Sequence, residues 1–323
     1  MKFASFLCCV VFTATTLLAQ TKDIGAPMGR LVDIGGRKLH LYCTGSGTPS
    51  VVLEAGAGAF AIDWSLVQPE VARTNRVCSY DRAGSGWSDP SNAVETPATV
   101  VLDLHTALQA AGEKPPYIMA GASMGGIYVR VYQTRYPNEV AGIVLVDPAY
   151  EERLFTISEG KPVTIASLTA DQVRSTIPPG PETIPKRLPQ TGSPFDRLPR
   201  HLYELRVKLE TRLIASIPSL VPHDVVVASA EGQRAALAKL HQLSAAQEHP
   251  LGDLPLIVLT RGMDSSQELK DAHAALARQS GNSRHMVVAG AGHEIHLFEP
   301  PAAILAIRDV LDAVRNGKGL TAR

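Results

Sequence analysis

Ser123 stands in AGASMGG, residues 120–126, where Gly121, Ser123 and Gly125 fit the pattern G-x-S-x-G. The apolar run PYIM precedes it and a helix-forming run starts at Met124, so the serine is expected on a sharp strand-to-helix turn. On such a turn the residues two before and two after the serine must be small, because a Cβ there would strike the neighbouring strand or helix. The turn lifts the hydroxyl over a helix N-terminus, where backbone N–H groups and the helix dipole favour negative charge. The chemistry that fits is nucleophilic attack by the serine oxygen.

A hydroxyl is a weak nucleophile at neutral pH and needs a base. The stretch VVAGAGHEIHLFEP offers His293 just beyond the last expected strand, from where a loop can swing it over the sheet to Ser123. His296, three residues on, is read as structural. HEIH is not H-E-x-x-H, so no metal site is expected. The base needs a carboxylate to fix its tautomer and stabilise the imidazolium. Asp264 in LTRGMD is the preferred acid, and Asp147 in IVLVDP is the alternative. Both lie at expected strand ends, and both give the chain order Ser, Asp, His. The oxyanion of a tetrahedral intermediate needs N–H donors. The expected pair is Met124, directly after the nucleophile, and Ala57 in EAGAGAF, where Gly56 and Gly58 allow close approach. That loop lacks G-x-x-x-x-G-K-[ST], so phosphate binding is the weaker reading.

Positioning these groups requires a sheet. LVDI and KLHLYC flank Gly35–Gly36, a hairpin signal. Further strands are expected at SVVLEAG, RVCSYD, PYIMAG, GIVLVD, PLIVLTRG and HMVVAG. Helices are expected at 63–73, 96–111, 124–136, 267–279 and 302–315. Unbroken apolar runs such as GIVLV and LIVL suit strands buried on both faces, the mark of a parallel sheet wrapped by helices. The α/β core is thus assigned to 21–148 and 250–323. Residues 149–249 interrupt it, and about 100 residues is too long for an ordinary connection. The stretches RHLYELRVKLETRLIASI and EGQRAALAKLHQLSAAQE make this insertion a helical cap. Its Leu, Ile and Val content points to an apolar acyl or alcohol group in the substrate.

The chain has 323 residues, 45% of them hydrophobic, with 31 basic residues balancing 31 acidic ones. That balance argues against a nucleic-acid partner, which demands a Lys/Arg excess. Lys2 followed by FASFLCCVVFTATTLLA reads as a signal peptide over residues 1–20, cleaved near Ala19 or Gln20. A secreted or periplasmic protein is expected, with no stable membrane anchor after cleavage.

LVDIGGRKLHLYCTG, VVLEAGAGAFAIDWS and VCSYDRAGSGWSD, together with the Ser123 turn and His293, resemble the α/β-hydrolase superfamily over residues 30–148 and 250–315. The resemblance implies the α/β-hydrolase fold: an eight-stranded, mostly parallel sheet whose second strand is antiparallel and lies beside the fourth. It also implies cofactor-independent Ser–His–acid cleavage of a small-molecule ester, through an acyl-enzyme. The chain departs from the pattern twice. Ala55-Gly56 replaces His-Gly before the oxyanion loop, which a backbone donor tolerates. Gly262-Met263-Asp264 is one residue shorter than G-x-x-D, which keeps Asp147 open as the acid. YDRAGSGWSD is read as a structural turn with Arg82 pairing internally and Trp87 at the active-site rim. Neighbouring second and fourth strands would bring Cys43 and Cys78 within disulfide reach. Two alternatives remain: an aminopeptidase or amidase holding a substrate amine on Glu151, Glu152 and Glu159, and a non-catalytic ligand-binding homologue.

Overall fold

The strand Ser50–Glu54 is buried along its whole length, with Val51 and Leu53 packed on one face and Val52 on the other. The same two-sided burial recurs in the strands at Tyr117–Ala122, Val140–Val146 and Leu256–Arg261. Each fully buried Val, Leu or Ile contributes about 1.5–3 kcal/mol, so these runs are the main source of cohesion. The computed structural model describes residues 24–320 apart from 152–153, 157–161, 178, 181, 184–186 and 219. The expected signal peptide lies outside the described residues.

In chain order the main sheet comprises β1 (Arg30–Asp33), β2 (Lys38–Thr44), β3 (Ser50–Glu54), β4 (Val77–Tyr80), β5 (Tyr117–Ala122), β6 (Val140–Val146), β7 (Leu256–Arg261) and β8 (Ser283–Val288). Their spatial order is β1-β2-β4-β3-β5-β6-β7-β8. Only β2 runs against its neighbours; the other adjacent pairs are parallel. This is the α/β-hydrolase sheet that the sequence implied. Cys43 faces Cys78 in the β2/β4 register, with Cα atoms 4.0 Å apart, and a disulfide joins them.

The longer helices are α1 (Pro97–Ala110), α2 (Met124–Arg135), α3 (Arg200–Ser216), α4 (His223–Ala246), α5 (Gln267–Ala277) and α6 (Pro300–Asn316). Helices α1, α2 and α5 cover one face of the sheet; α6 covers the other with Ala303, Ile307 and Val310. The helix expected over 63–73 is broken into a 3₁₀ turn at Ala61–Trp64 and one α-turn at Gln68–Val71. Pro69 has no N–H to continue a helix and is tolerated only at the start of a new turn.

Helices α3 and α4 belong to the segment between β6 and β7, which adds no strand to the main sheet among the described residues. It also holds two short antiparallel ladders, Leu154–Thr156 with Pro162–Thr164 and Glu182–Thr183 with Leu220–Val221. Helix α4 starts eight residues before the stretch in which it was expected, directly after Pro222. Its Gly232 lets it press on Thr96, the N-cap of α1, where a Cβ would lie 2.3 Å from Thr96 Cγ2. Among the described residues no helix is long and apolar enough to cross a membrane.

Candidate active site

Ser123 lies between β5 and α2 with φ 52° and ψ −121°. Left-handed backbone at a non-glycine residue costs of order 1–3 kcal/mol and persists only where its surroundings enforce it. Here the Ser123 N–H donates to Val146 O (3.0 Å), and Ser123 O accepts from Gly126 N–H (3.0 Å) and Ala149 N–H (2.9 Å). The flanking glycines are sterically required. A Cβ on Gly121 would lie 2.4 Å from Gly125 O, and one on Gly125 would lie 2.5 Å from Glu54 O.

The loop after β8 brings His293 Nε2 to 2.9 Å from Ser123 Oγ. On the other side of the ring, His293 Nδ1 is 2.5 Å from Asp147 Oδ2. Asp147, not the preferred Asp264, therefore meets the imidazole. Asp147 follows β6, the immediate neighbour of the serine's strand, with φ 43°. Asp264 shares that backbone state (φ 51°), but it follows β7, one strand farther out, and stands exposed. The short acid turn is thus not an acid turn in this chain.

Arg261, the last residue of β7, closes on the same carboxylate. Its N–H donates to Asp147 Oδ1 (3.0 Å) and its Nη1 to Oδ2 (2.6 Å). Burial raises the Asp147 carboxyl, but the hydrogen bonds from His293 and the Arg261 backbone N–H, with the Arg261 guanidinium alongside, outweigh it and hold its pKa below the usual carboxylate value. A carboxylate so held accepts the Nδ1 proton, which leaves the Nε2 lone pair facing the serine hydroxyl. Arg261 lies inside LTRGMD, but nothing local in that stretch shows that it caps an aspartate on another strand. Behind Asp147, His273 Nε2–H donates to Pro148 O (2.9 Å), so Nδ1 accepts from the Thr260 hydroxyl (2.8 Å). Thr260 Oγ1 in turn accepts from His285 Nε2–H (2.7 Å).

Ser123 and His293 open into a pocket of about 280 Å³. Ala57 lines it beside the serine, and Gly56 is held so close that a Cβ there would lie 3.3 Å from Ser123 Cβ. Met124 is the first residue of α2, so its N–H has no intrahelical acceptor. The Met124 N–H is thus free of a helical partner directly after the serine, and Ala57 lines the same pocket. Arg187, Gln190, Phe195 and Arg206 enter the pocket from the inserted segment, and none was singled out in the sequence. Arg206 is buried, pairs with Asp63 (2.8 Å) and Glu210 (2.7 Å), and lies 3.5 Å over the Phe195 ring. With Asp63, Glu294 and His296 also present, charged and polar side chains share the lining with Ala57, Ala59, Ala122 and Phe195.

His296 packs against Trp64 with ring centroids 4.5 Å apart, and burial pushes its pKa down to about 3, a structural imidazole rather than a base. Trp87 is not at the pocket; it packs against His40 and donates to Gly25 O. Glu151 is buried in a two-pronged pair with Arg130, both contacts 2.6 Å, so it cannot hold a substrate amine. Glu152 and Glu159 lie outside the described residues.

A family model described as alpha/beta hydrolase fold matches residues 49–300. The uncharacterized protein YqjL of Bacillus subtilis is 26% identical over 290 residues, covering 88% of this chain and 92% of its own. YbdG of the same organism is 31% identical over 130 residues, so the match spans only 40% of either chain. A 2-hydroxy-6-oxo-2,4-heptadienoate hydrolase of Pseudomonas putida is 28% identical over 126 residues, 38% of this chain and 46% of its own. Among solved structures, a thermophilic esterase from Thermogutta terrifontis superposes with TM-score 0.57 at 23% identity, over 86% of this chain and 94% of its own. A meta-cleavage product hydrolase from Pseudomonas fluorescens gives 0.59 at 17% identity, over 88% and 97%. Likenesses at such identities speak for the fold alone.

Proposed function

The chain belongs to the α/β-hydrolase family, and from that premise we propose that it is a serine hydrolase of carboxylic esters. The observation that carries the reading is the continuous line Ser123 Oγ–His293–Asp147, with contacts of 2.9 and 2.5 Å. His293 Nε2 takes the hydroxyl proton as Ser123 Oγ attacks the ester carbon. The Ala57 and Met124 N–H groups receive the oxyanion, each donor contributing about 3 kcal/mol to the transition state. The imidazolium returns its proton to the departing alkoxide and an acyl-enzyme remains. Water, deprotonated by His293, then attacks the acyl carbon, and the acid leaves as Ser123 recovers its proton. Asp147 holds the ring in the productive tautomer and offsets its transient charge.

The pocket, at about 280 Å³, lies at the small end for ligand sites and carries Arg187, Gln190 and Glu294 on its walls. A short or polar ester suits it better than a long-chain lipid. The inserted segment acts as a cap that sets specificity, since four of its residues reach the pocket. The N-terminal segment directs export to the periplasm or medium. The ester reading is preferred over the amine-anchored peptidase because Glu151 is already paired.

A fluorophosphonate probe and a series of p-nitrophenyl esters, run beside p-nitroanilides, test the proposal. Wild-type protein should be labelled and should cleave short esters fastest, while Ser123→Ala should do neither. Labelling that survives in Ser123→Ala would remove the serine from the mechanism, and faster anilide turnover would replace the ester by an amide.

A further inference from the structure

We infer that Arg82 is a positioning residue for the oxyanion hole, aiming the Ala57 N–H at the substrate from behind. The inference rests on the serine-hydrolase reading. Arg82 follows β4 and its side chain is 8% exposed. Its Nη1 donates to Glu54 Oε1 (2.7 Å) and to Ala55 O (2.7 Å), and its Nη2 donates to Gly56 O. Two successive carbonyls of the oxyanion loop thus point back at one guanidinium. In a planar trans peptide the C=O and the N–H of the next residue point in opposite directions. With Gly56 O fixed on Arg82, the Ala57 N–H must project the other way, to the side where Ala57 lines the pocket with Ser123.

The guanidinium is itself immobilised. Glu54, at the end of β3, holds it with one carboxylate oxygen and takes the Tyr80 hydroxyl on the other (2.5 Å). The Arg82 Cζ lies 5.3 Å from the Tyr128 ring centroid. Besides Arg82, Gly56 O accepts only the weaker turn bond from Ala59 N–H (3.2 Å) among the described residues. A cation on a carbonyl also polarises the amide it belongs to, which strengthens the N–H as a donor. A lysine cannot substitute. Its ammonium is a single point, whereas the planar fork spans both carbonyls and the carboxylate.

The test is steady-state kinetics of Arg82→Lys and of the charge-neutral pair Arg82→Met/Glu54→Gln on p-nitrophenyl acetate. It is coupled to inhibition by a trifluoromethyl ketone, whose adduct with Ser123 carries an oxyanion. Both variants should lose kcat by about 10- to 100-fold, with KM within about threefold, because a misaimed donor is felt only when the oxyanion forms. The ketone Ki should weaken by the same factor. A folded variant with kcat near wild type overturns the inference, as does a fall in kcat that leaves the ketone Ki unmoved. Loss of the fold in both variants also overturns it, by making Arg82 a stability residue. Failure of the underlying reading shows separately, as absent turnover and absent fluorophosphonate labelling in the wild type.

Discussion

Replacing Asp147 by Asn tests the acid. Asp147 Oδ2 accepts from His293 Nδ1–H and Arg261 Nη1, whereas Oδ1 accepts, among the described residues, from the Arg261 backbone N–H alone. An asparagine can place its carbonyl oxygen at only one of these positions. At the Oδ2 position it keeps two donors satisfied and turns its NH₂ against one; the reverse flip does the opposite. The amide oxygen should therefore stay on His293, and the productive tautomer should survive. What is lost is the negative charge beside the imidazolium. For charges centred about 4 Å apart at an effective dielectric constant of about 20, that is worth roughly 4 kcal/mol. The expected fall in kcat is thus about a thousandfold, somewhat less than for a variant that also loses the tautomer, for which about ten-thousandfold is typical. Asp264→Asn, on an exposed loop, should stay within about threefold. Stopped-flow or steady-state turnover of p-nitrophenyl acetate on both variants, with circular dichroism to check folding, decides. An Asp147→Asn enzyme within tenfold of wild type, or equal losses in the two variants, would refute the reasoning.

Gly125→Ala should cost about 2 kcal/mol or more in urea unfolding and abolish most turnover, because its Cβ would lie 2.5 Å from Glu54 O and 2.8 Å from Ala55 O, both unyielding backbone. Burial pushes the His273 pKa down from 6.5 to about 4, so as pH falls the unfolded chain takes up the proton first and stability is lost between pH 6.5 and 4. Between pH 7 and pH 5 the wild type should therefore lose about 2 kcal/mol more than His273→Asn; parallel pH curves for the two proteins would contradict this. Cys43→Ala/Cys78→Ala opens a cross-link of sequence separation 35 and should lower unfolding stability by about 3–4 kcal/mol, with the same loss on adding reductant to the wild type. Arg206→Met should destabilise by about 3–5 kcal/mol, since Asp63 and Glu210 would be left buried without their cation, and a thermal midpoint close to wild type would count against that pairing.

The sequence by itself determined the features whose causes are local. The serine turn was legible because small residues at fixed spacing, between an apolar strand and a helix start, leave the backbone one way to pass. The sheet was legible because runs such as GIVLV can be buried only on two faces at once. The helix expected over 63–73 failed at Pro69, a local signal that was present and outweighed by the apolar pattern around it. Other facts have no local cause. Asp147 and Asp264 follow adjacent strands in the same left-handed backbone state, and only the lateral order β5-β6-β7 places the former beside the serine. Arg261 reaches its carboxylate across 114 residues, and Arg206 reaches Asp63 across 143. Partners so far apart in the chain meet because the sheet and the inserted segment bring them together, and no spacing pattern in one dimension encodes that meeting.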